Sequence, residues 1–312
     1  MTPPDRSSPP FPEEIDIAFH DGVLGRMRSR AVGRPRPDMP EVVLVQGMGV
    51  ADYLLPGLAT LGRWTRAHLL ELPGFAGSGD PPHELDVPEF GRSVTDWLRS
   101  RGPARTVLMG HSSGTQVAAR AATAAPNVVA LVLASPTVDP FARTLPRLLL
   151  RWRLDSRHEP SGLSESHRPE WKRAGLRRMV HIARVHAEDD LEDAVARLRV
   201  PLLVIRGRDD RISTPEWGRR LTTLVPDGTY LEVPGAHTFP WPFPDACSEP
   251  VRELAARTRE PAGPGRPSPF SLRTRSLISL RTRRRPPAPR RRYGRRGRGL
   301  AGSRPARTGS GR

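Results

Sequence analysis

Thr106-Val-Leu-Met-Gly-His-Ser-Ser-Gly-Thr-Gln-Val-Ala-Ala-Arg120 is the stretch from which the rest of the chain is read. A short apolar β-type run, Val107 to Met109, breaks at Gly110, and an Ala-rich helical pattern begins near Thr115. Between them Gly110-His111-Ser112-Ser113-Gly114 matches G-x-S-x-G in the strand–turn–helix setting that gives the motif meaning. A serine on so sharp a turn is strained, and the flanking backbones run so close that a Cβ two residues to either side would collide with them. That requirement selects the nucleophile. Ser112 has Gly110 and Gly114 two residues away, whereas Ser113 would have His111 and Thr115. Alone, the five residues also describe a plain Gly/Ser turn, and in a chain with 28 glycines a chance match is far from rare. The surroundings decide between the two readings.

Outward from this stretch, apolar runs bounded by turn residues alternate with amphipathic helical patterns. Runs at 41–46, 67–72, 128–134, 200–206 and 229–233 read as strands, and the continuously apolar ones suit a parallel sheet covered on both faces. Helices are expected at 53–64, 87–99, 115–125, 215–224 and 245–258. The second carries Phe90, Val94, Trp97 and Leu98 on one face, with Pro88 in its first turn. Residues 14–19 and 23–31 read as a β-hairpin turning at His20-Asp21-Gly22. From 140 to 199 the rhythm is interrupted by Arg-, Glu- and His-bearing helical stretches at 145–154, 169–186 and 189–198, read as an inserted helical subdomain. The expected fold class is α/β with a mainly parallel sheet.

Composition bounds the rest. A chain of 312 residues allows one large domain or two small ones. The formal charge of +17 is uneven: Pro261 to Arg312 holds 16 arginines and no acid, leaving +1 on the preceding 260 residues. The Pro/Ser-rich 1–12 and the Arg/Pro-rich 259–312 are expected to be disordered. The basic segment would adsorb non-specifically to polyanions. Between Arg281 and Arg298 Tyr293 is the only stacking group, and no folded recognition element is apparent, so no specific nucleic-acid partner is expected. The single cysteine, Cys247, excludes an intramolecular disulfide. No run approaches the ~18 apolar residues of a membrane span, and a cytoplasmic protein is expected. Nothing in the sequence sets an oligomeric state.

A serine nucleophile needs a base to take its proton and a carboxylate to hold that base in the right tautomer. In open α/β sheets both come from loops at the carboxyl ends of strands. Arg206-Gly-Arg-Asp-Asp210 leaves one strand and offers Asp209 and Asp210; Pro234-Gly-Ala-His237 leaves the last and offers His237. The order Ser, Asp, His is the one expected with this elbow. Each partner alone has a plainer reading, the Asp as turn former or helix cap and the His as ordinary loop. Their joint occurrence in order favours catalysis.

On these residues the chain resembles the α/β-hydrolase family, specifically esterase-like members with a helical cap inserted after the sixth strand, over about 41–257. Gly47-Met48-Gly49 stands at the family's oxyanion-loop position. Pro73-Gly74-Phe75-Ala76-Gly77-Ser78 is similar to its P-G-x-G-x-S loop with Ala76 for the second Gly. Gly207-Arg208-Asp209-Asp210 matches G-x-x-D, and Gly235-Ala236-His237 the final histidine motif. The resemblance implies an α/β-hydrolase core over 13–139 and 200–258 and a cap over 140–199. It implies a triad of Ser112, Asp210 and His237, and an oxyanion hole from the N–H groups of Met48 and Ser113. Asp139, after strand six, is the alternative acid. Gln46 departs from the family's usual His, which bears on how the oxyanion loop is held. The implied activity is a serine hydrolase cleaving a small or medium ester-type substrate through an acyl-enzyme. The alternatives are a non-catalytic binding protein, or an acyltransferase or C–C bond hydrolase on the same scaffold. No cofactor or metal is expected, since no G-x-G-x-x-G, Walker loop or H-E-x-x-H is present. His158, His167, His181 and His186 are read as members of a solvated helical face, and His111 as a residue that packs or lines the pocket wall.

Overall fold

The computed structural model describes residues 14–258; the segments 1–12 and 259–312, expected to be disordered, lie outside the described residues. β1 (Asp16–Gly22) and β2 (Gly25–Val32) pair antiparallel, in register from Asp16↔Ala31 to Gly22↔Gly25. The turn is therefore Val23-Leu24, later than the expected 20–22. Asp21 stays in the strand because it faces Arg26 across the pair, with Nε donating to Oδ1 at 2.6 Å. Gly25 supplies the φ of 118° that follows so tight a loop.

β2 continues antiparallel onto β4 (Ala67–Glu71), and from there every pairing is parallel. The eight strands run β1-β2-β4-β3-β5-β6-β7-β8, with β3 (Glu41–Val45), β5 (Thr106–His111), β6 (Val128–Ala134), β7 (Leu202–Gly207) and β8 (Gly228–Val233). Every residue of β4, β5 and β7 is buried, which is why Leu69-Leu70, Val107-Leu108-Met109 and Leu202-Leu203-Val204-Ile205 run apolar without alternation. Alternate residues still face opposite ways. Val43 and Val45 join the core beneath α2 (Val87–Ser100) and α3 (Gly114–Ala122). Val42 and Leu44 join the core beneath α1 (Leu55–Gly62) and α8 (Pro244–Arg257). α7 (Pro215–Thr223) covers the β7–β8 end through Trp217 and Leu221.

Between β6 and β7 lie α4 (Leu145–Asp155), α5 (Leu163–Glu188) and α6 (Leu191–Ala196). α5 begins six residues before the expected Pro169 and is broken at Gly175, where φ is 79° and ψ is 154°. Among the described residues no helix is long and apolar enough to cross a membrane.

Candidate active site

Ser112 follows β5 with φ at 55°, a conformation that L side chains seldom adopt. The two glycines around it are dictated by space. A Cβ on Gly110 would lie 2.3 Å from the Gly114 carbonyl oxygen, and one on Gly114 would lie 2.4 Å from that of Gln46. The Ser112 N–H donates to the Ala134 carbonyl at 2.9 Å, while its own carbonyl accepts from the Thr115 N–H at 3.0 Å to start α3. Among the described residues three other non-glycine positions have positive φ: Met48, Ala76 and Ser135. All four lie in loops after the carboxyl ends of parallel strands, so backbone strain gathers at one edge of the sheet. Ala76, in the place of a family glycine, takes the glycine-like φ of 48°.

That edge brings three of the expected residues together. The Ser112 Oγ and His237 Nε2 are 2.8 Å apart, and His237 Nδ1 is 3.0 Å from Asp210 Oδ2. The other Asp210 oxygen accepts from the N–H groups of Ile212 and Ser213, both at 2.8 Å. All three side chains are buried. Burial disfavours the Asp210 carboxylate, but the His237 charge, its hydrogen bond and the Ser213 N–H outweigh burial and hold the carboxyl below its ordinary range. For His237 burial again opposes charge, and Asp210 foremost, with Asp155 and Glu159, raises the imidazole above its usual value. The site therefore favours the imidazolium that forms when a serine gives up its proton.

Asp209 is exposed, its N–H donating to the Gly235 carbonyl. Asp139 is buried but engaged elsewhere: Oδ2 accepts from Arg151 Nη1 at 2.8 Å and Thr214 Oγ1 at 3.0 Å, and Oδ1 from the Phe141 N–H. The elbow histidine does more than line a wall. His111 is fully buried, and burial together with the nearby His237 charge lowers it to about 3, so the ring is neutral. Its Nε2–H donates to the His237 carbonyl at 2.9 Å, which leaves Nδ1 to accept from the Tyr53 hydroxyl at 2.6 Å.

The oxyanion loop differs from expectation. The Met48 N–H, expected to be available, donates to the Ser113 Oγ at 2.8 Å. Ser113 stands at the start of α3, where its hydroxyl reaches back over the loop. The Ser113 N–H has no acceptor within the helix, as for any first-turn amide. Gln46 is buried, and neither atom of its amide has a hydrogen-bond partner among the described residues. The loop is instead held from α5. Trp171 Nε1 donates to the Met48 carbonyl at 3.2 Å, and Glu170 Oε2 accepts from the Ala51 N–H at 2.8 Å and the Asp52 N–H at 3.4 Å.

The same device recurs beside the Asp210 and His237 loops. Asp155 Oδ1, at the end of α4, accepts from the Arg211 N–H at 2.8 Å, next to Asp210. Glu159 accepts from the Thr238 N–H at 2.8 Å and from the Thr238 hydroxyl, next to His237. Burial first, and then the neighbouring Asp155, push Glu159 up to about 7; burial, reinforced by Asp52, does the same for Glu170. Sequence reasoning missed these acids, because an acid in a polar helical stretch is ordinarily solvated. His186 was misread on the same ground: it is buried, with Nδ1 on the Gln116 amide oxygen at 2.8 Å. His167 packs against the Tyr53 and Trp171 rings. Among the described residues no group of three or more metal-ligating side chains is assembled.

Solved structures share this architecture. A hydrolase from Pseudomonas aeruginosa PA01 superposes with a TM-score of 0.62 at 22% identity, over 77% of this chain and 98% of its own. A thermophilic esterase from Thermogutta terrifontis does so at 0.63 and 19%, over 79% of this chain and 100% of its own. The enol-lactonase from Burkholderia xenovorans LB400 gives 0.57 and 20%, over 76% and 99%. At such identities the likeness is one of fold. No curated protein matches the sequence. The sequence model of the alpha/beta hydrolase family matches residues 42–257, well over half of the chain and the whole run from β3 to α8. The chain belongs to the alpha/beta hydrolase family.

Proposed function

We propose that this chain is a serine hydrolase of small or medium ester-type substrates, working in the cytoplasm, with Ser112 as nucleophile, His237 as general base and Asp210 as orienting acid. The observation that carries this reading is the buried relay of hydrogen bonds, 2.8 Å from Ser112 Oγ to His237 Nε2 and 3.0 Å from Nδ1 to Asp210. Ser112 Oγ attacks the ester carbonyl carbon as its proton passes to His237 Nε2, and Asp210 stabilises the imidazolium. The charge on the carbonyl oxygen is met by the Ser113 N–H and by that of Met48, once the Ser113 hydroxyl turns away from it. Collapse breaks the bond to the alcohol, which leaves with the proton from His237. A water then repeats the sequence on the acyl-Ser112 and releases the carboxylic acid. The esterase and lactonase names among structural neighbours support the carboxylic-ester class.

The test is labelling by a fluorophosphonate together with turnover of a short p-nitrophenyl ester. Wild type should be labelled at Ser112, and Ser112→Ala should lose the label and at least about 10³-fold in kcat while keeping its circular dichroism. A folded wild type that neither labels nor turns over would favour a binding protein on this fold.

A further inference from the structure

The proposed reaction leaves the outer surface of α4 unused, and that helix is built inside out. Its one fully buried residue is polar, Asp155, which accepts the Arg211 N–H, and of the half-buried Leu148 and Arg151 the arginine donates to Asp139 and to the Ile212 carbonyl. Its outward groups are apolar. Leu149 is 62% exposed, Leu150 57% and Trp152 48%, and Phe141 just upstream is 76% exposed. A solvated helix arranges its faces the other way round. Leu145, 41% exposed, shares one stripe with Leu149 and Trp152 at i, i+4 and i+7, and an exposed apolar stripe marks an interaction site. Arginines are interleaved with it. Between Phe141 and His158 there are five arginines against one acid, the buried Asp155. Arg143 and Arg151 are engaged by Asp190 and Asp139, whereas Arg147 and Arg153 stand exposed beside the leucines.

We infer that α4 docks on an anionic lipid surface, with Leu149, Leu150 and Trp152 entering the headgroup boundary and Arg147 and Arg153 meeting lipid phosphates. Leu and Trp for the acyl side, arginine for the headgroups and no exposed acid is the composition of a helix that lies in a membrane interface. Charge argues against a second copy of this chain as occupant. A twofold contact through this face would set Arg147 and Arg153 against their own counterparts. A nucleic acid would leave the leucines without a partner.

The docked surface would lie beside the site, because α4 is tied to it twice. Asp155 holds the loop of Asp210, and the Trp152 ring lies 5.3 Å from that of Trp171, whose Nε1 holds Met48. Resting on the hydrolase reading, this makes acyl esters presented at a lipid surface the substrate class.

Docking is tested on the full chain with vesicles of phosphatidylcholine alone and with about a third phosphatidylglycerol, by co-sedimentation and by quenching of tryptophan with bromine-labelled acyl chains. The 16 arginines of 261–312 attract anionic vesicles too, so the variants compared differ only in α4. Wild type should bind the anionic vesicles, Leu149→Ser/Leu150→Ser should partition at least about tenfold less, and Trp152→Phe should lose most of the quenching. Ser112→Ala should bind as wild type does, which separates docking from catalysis, and Leu149→Ser/Leu150→Ser should turn over a short soluble ester at the wild-type rate. The inference is overturned if Leu149→Ser/Leu150→Ser partitions like wild type, or if Trp152→Phe is quenched as fully. It is equally overturned if wild type elutes as an oligomer that Leu149→Ser/Leu150→Ser splits, since a second copy would then cover the face.

Discussion

Replacing Asp210 by Asn tests the relay at the point where the geometry is most restrictive. One carboxylate oxygen accepts two backbone N–H groups, those of Ile212 and Ser213, and the other faces His237 Nδ1. An amide has one oxygen to offer. If that oxygen stays on the backbone pair, the NH2 faces Nδ1 and compels it to be the bare nitrogen. The imidazole proton then sits on Nε2, aimed at Ser112 Oγ, and cannot be exchanged for the serine proton. The opposite orientation sets the NH2 against two backbone donors, at a cost of about 1–3 kcal/mol for each group left unsatisfied. At about 2 kcal/mol or more in total, the unproductive orientation is favoured at least about 30-fold, and the charge that stabilises the imidazolium is gone as well. Asp210→Asn should therefore lose about 10³- to 10⁴-fold in kcat on a p-nitrophenyl ester with circular dichroism unchanged. Asp209→Asn should be near wild type. Asp139→Asn weakens contacts to Arg151 and Thr214, so it should lower the melting temperature and leave kcat of the folded enzyme within a few-fold. Activity of Asp210→Asn above about a tenth of wild type, or a folded but dead Asp139→Asn, would refute the assignment.

Ser113→Ala frees the Met48 N–H and should keep kcat/KM within about tenfold of wild type. A loss beyond about 10²-fold, the size of a missing oxyanion donor, would show that the hydroxyl itself acts on the intermediate. Gly114→Ala places a Cβ 2.4 Å from the Gln46 carbonyl and 2.6 Å from that of Val45. Neither backbone can yield, so a loss of about 3 kcal/mol, or roughly 10 °C in melting temperature, is expected by thermal denaturation; an unshifted melting curve would contradict the close approach. Glu159→Gln removes one of the negative charges that raise His237. The base must be neutral to act, so the acid limb of kcat/KM should move to lower pH. An acid limb that stays in place in the pH–rate profile would mean that Glu159 serves the loop only as a hydrogen-bond acceptor.

The elbow was legible because its constraints are local. Two glycines flanking one serine, between a strand and a helix, carry the close approach of Gly110 to Gly114 within five residues. The buried strands were legible for a similar reason, since apolar runs covered on both faces leave a continuous signature. The hairpin turn was misjudged because His20 and Asp21 look like turn residues until Arg26 is seen opposite Asp21. The choice between Asp210 and Asp139 rested on resemblance alone: which loop reaches the imidazole depends on how β6, β7 and β8 lie side by side, and no periodicity reports that. The bond from the Met48 N–H to Ser113 was not foreseen, because the direction of one hydroxyl leaves no trace in sequence. The histidines and acids of the helical insert were least legible, since burial by a neighbouring loop is invisible in their own helical pattern.

Those acids explain how a loop edge under strain is kept in place. Backbone N–H groups at the ends of parallel strands have no further strand to bond to, and buried donors require acceptors. The insert supplies one carboxylate to each of three loops: Glu170 to that of Met48, Asp155 to that of Asp210 and Glu159 to that of His237. For fold stability alone this is an unfavourable arrangement. Glu159 and Glu170 are raised to about 7 in the folded chain, so they bind protons more tightly there than in the unfolded chain. Their contribution to stability therefore falls as pH rises from the ordinary carboxylate range towards 7. Two alcohols or amides could accept the same bonds without that loss. What an ionised acceptor adds is a stronger hold on the N–H, and for Asp155 and Glu159 a negative field at His237. The helices over the site are thus bonded into the geometry of the three residues beneath them, and a substitution that reshapes the insert to admit a different substrate will disturb the rate as well as the binding.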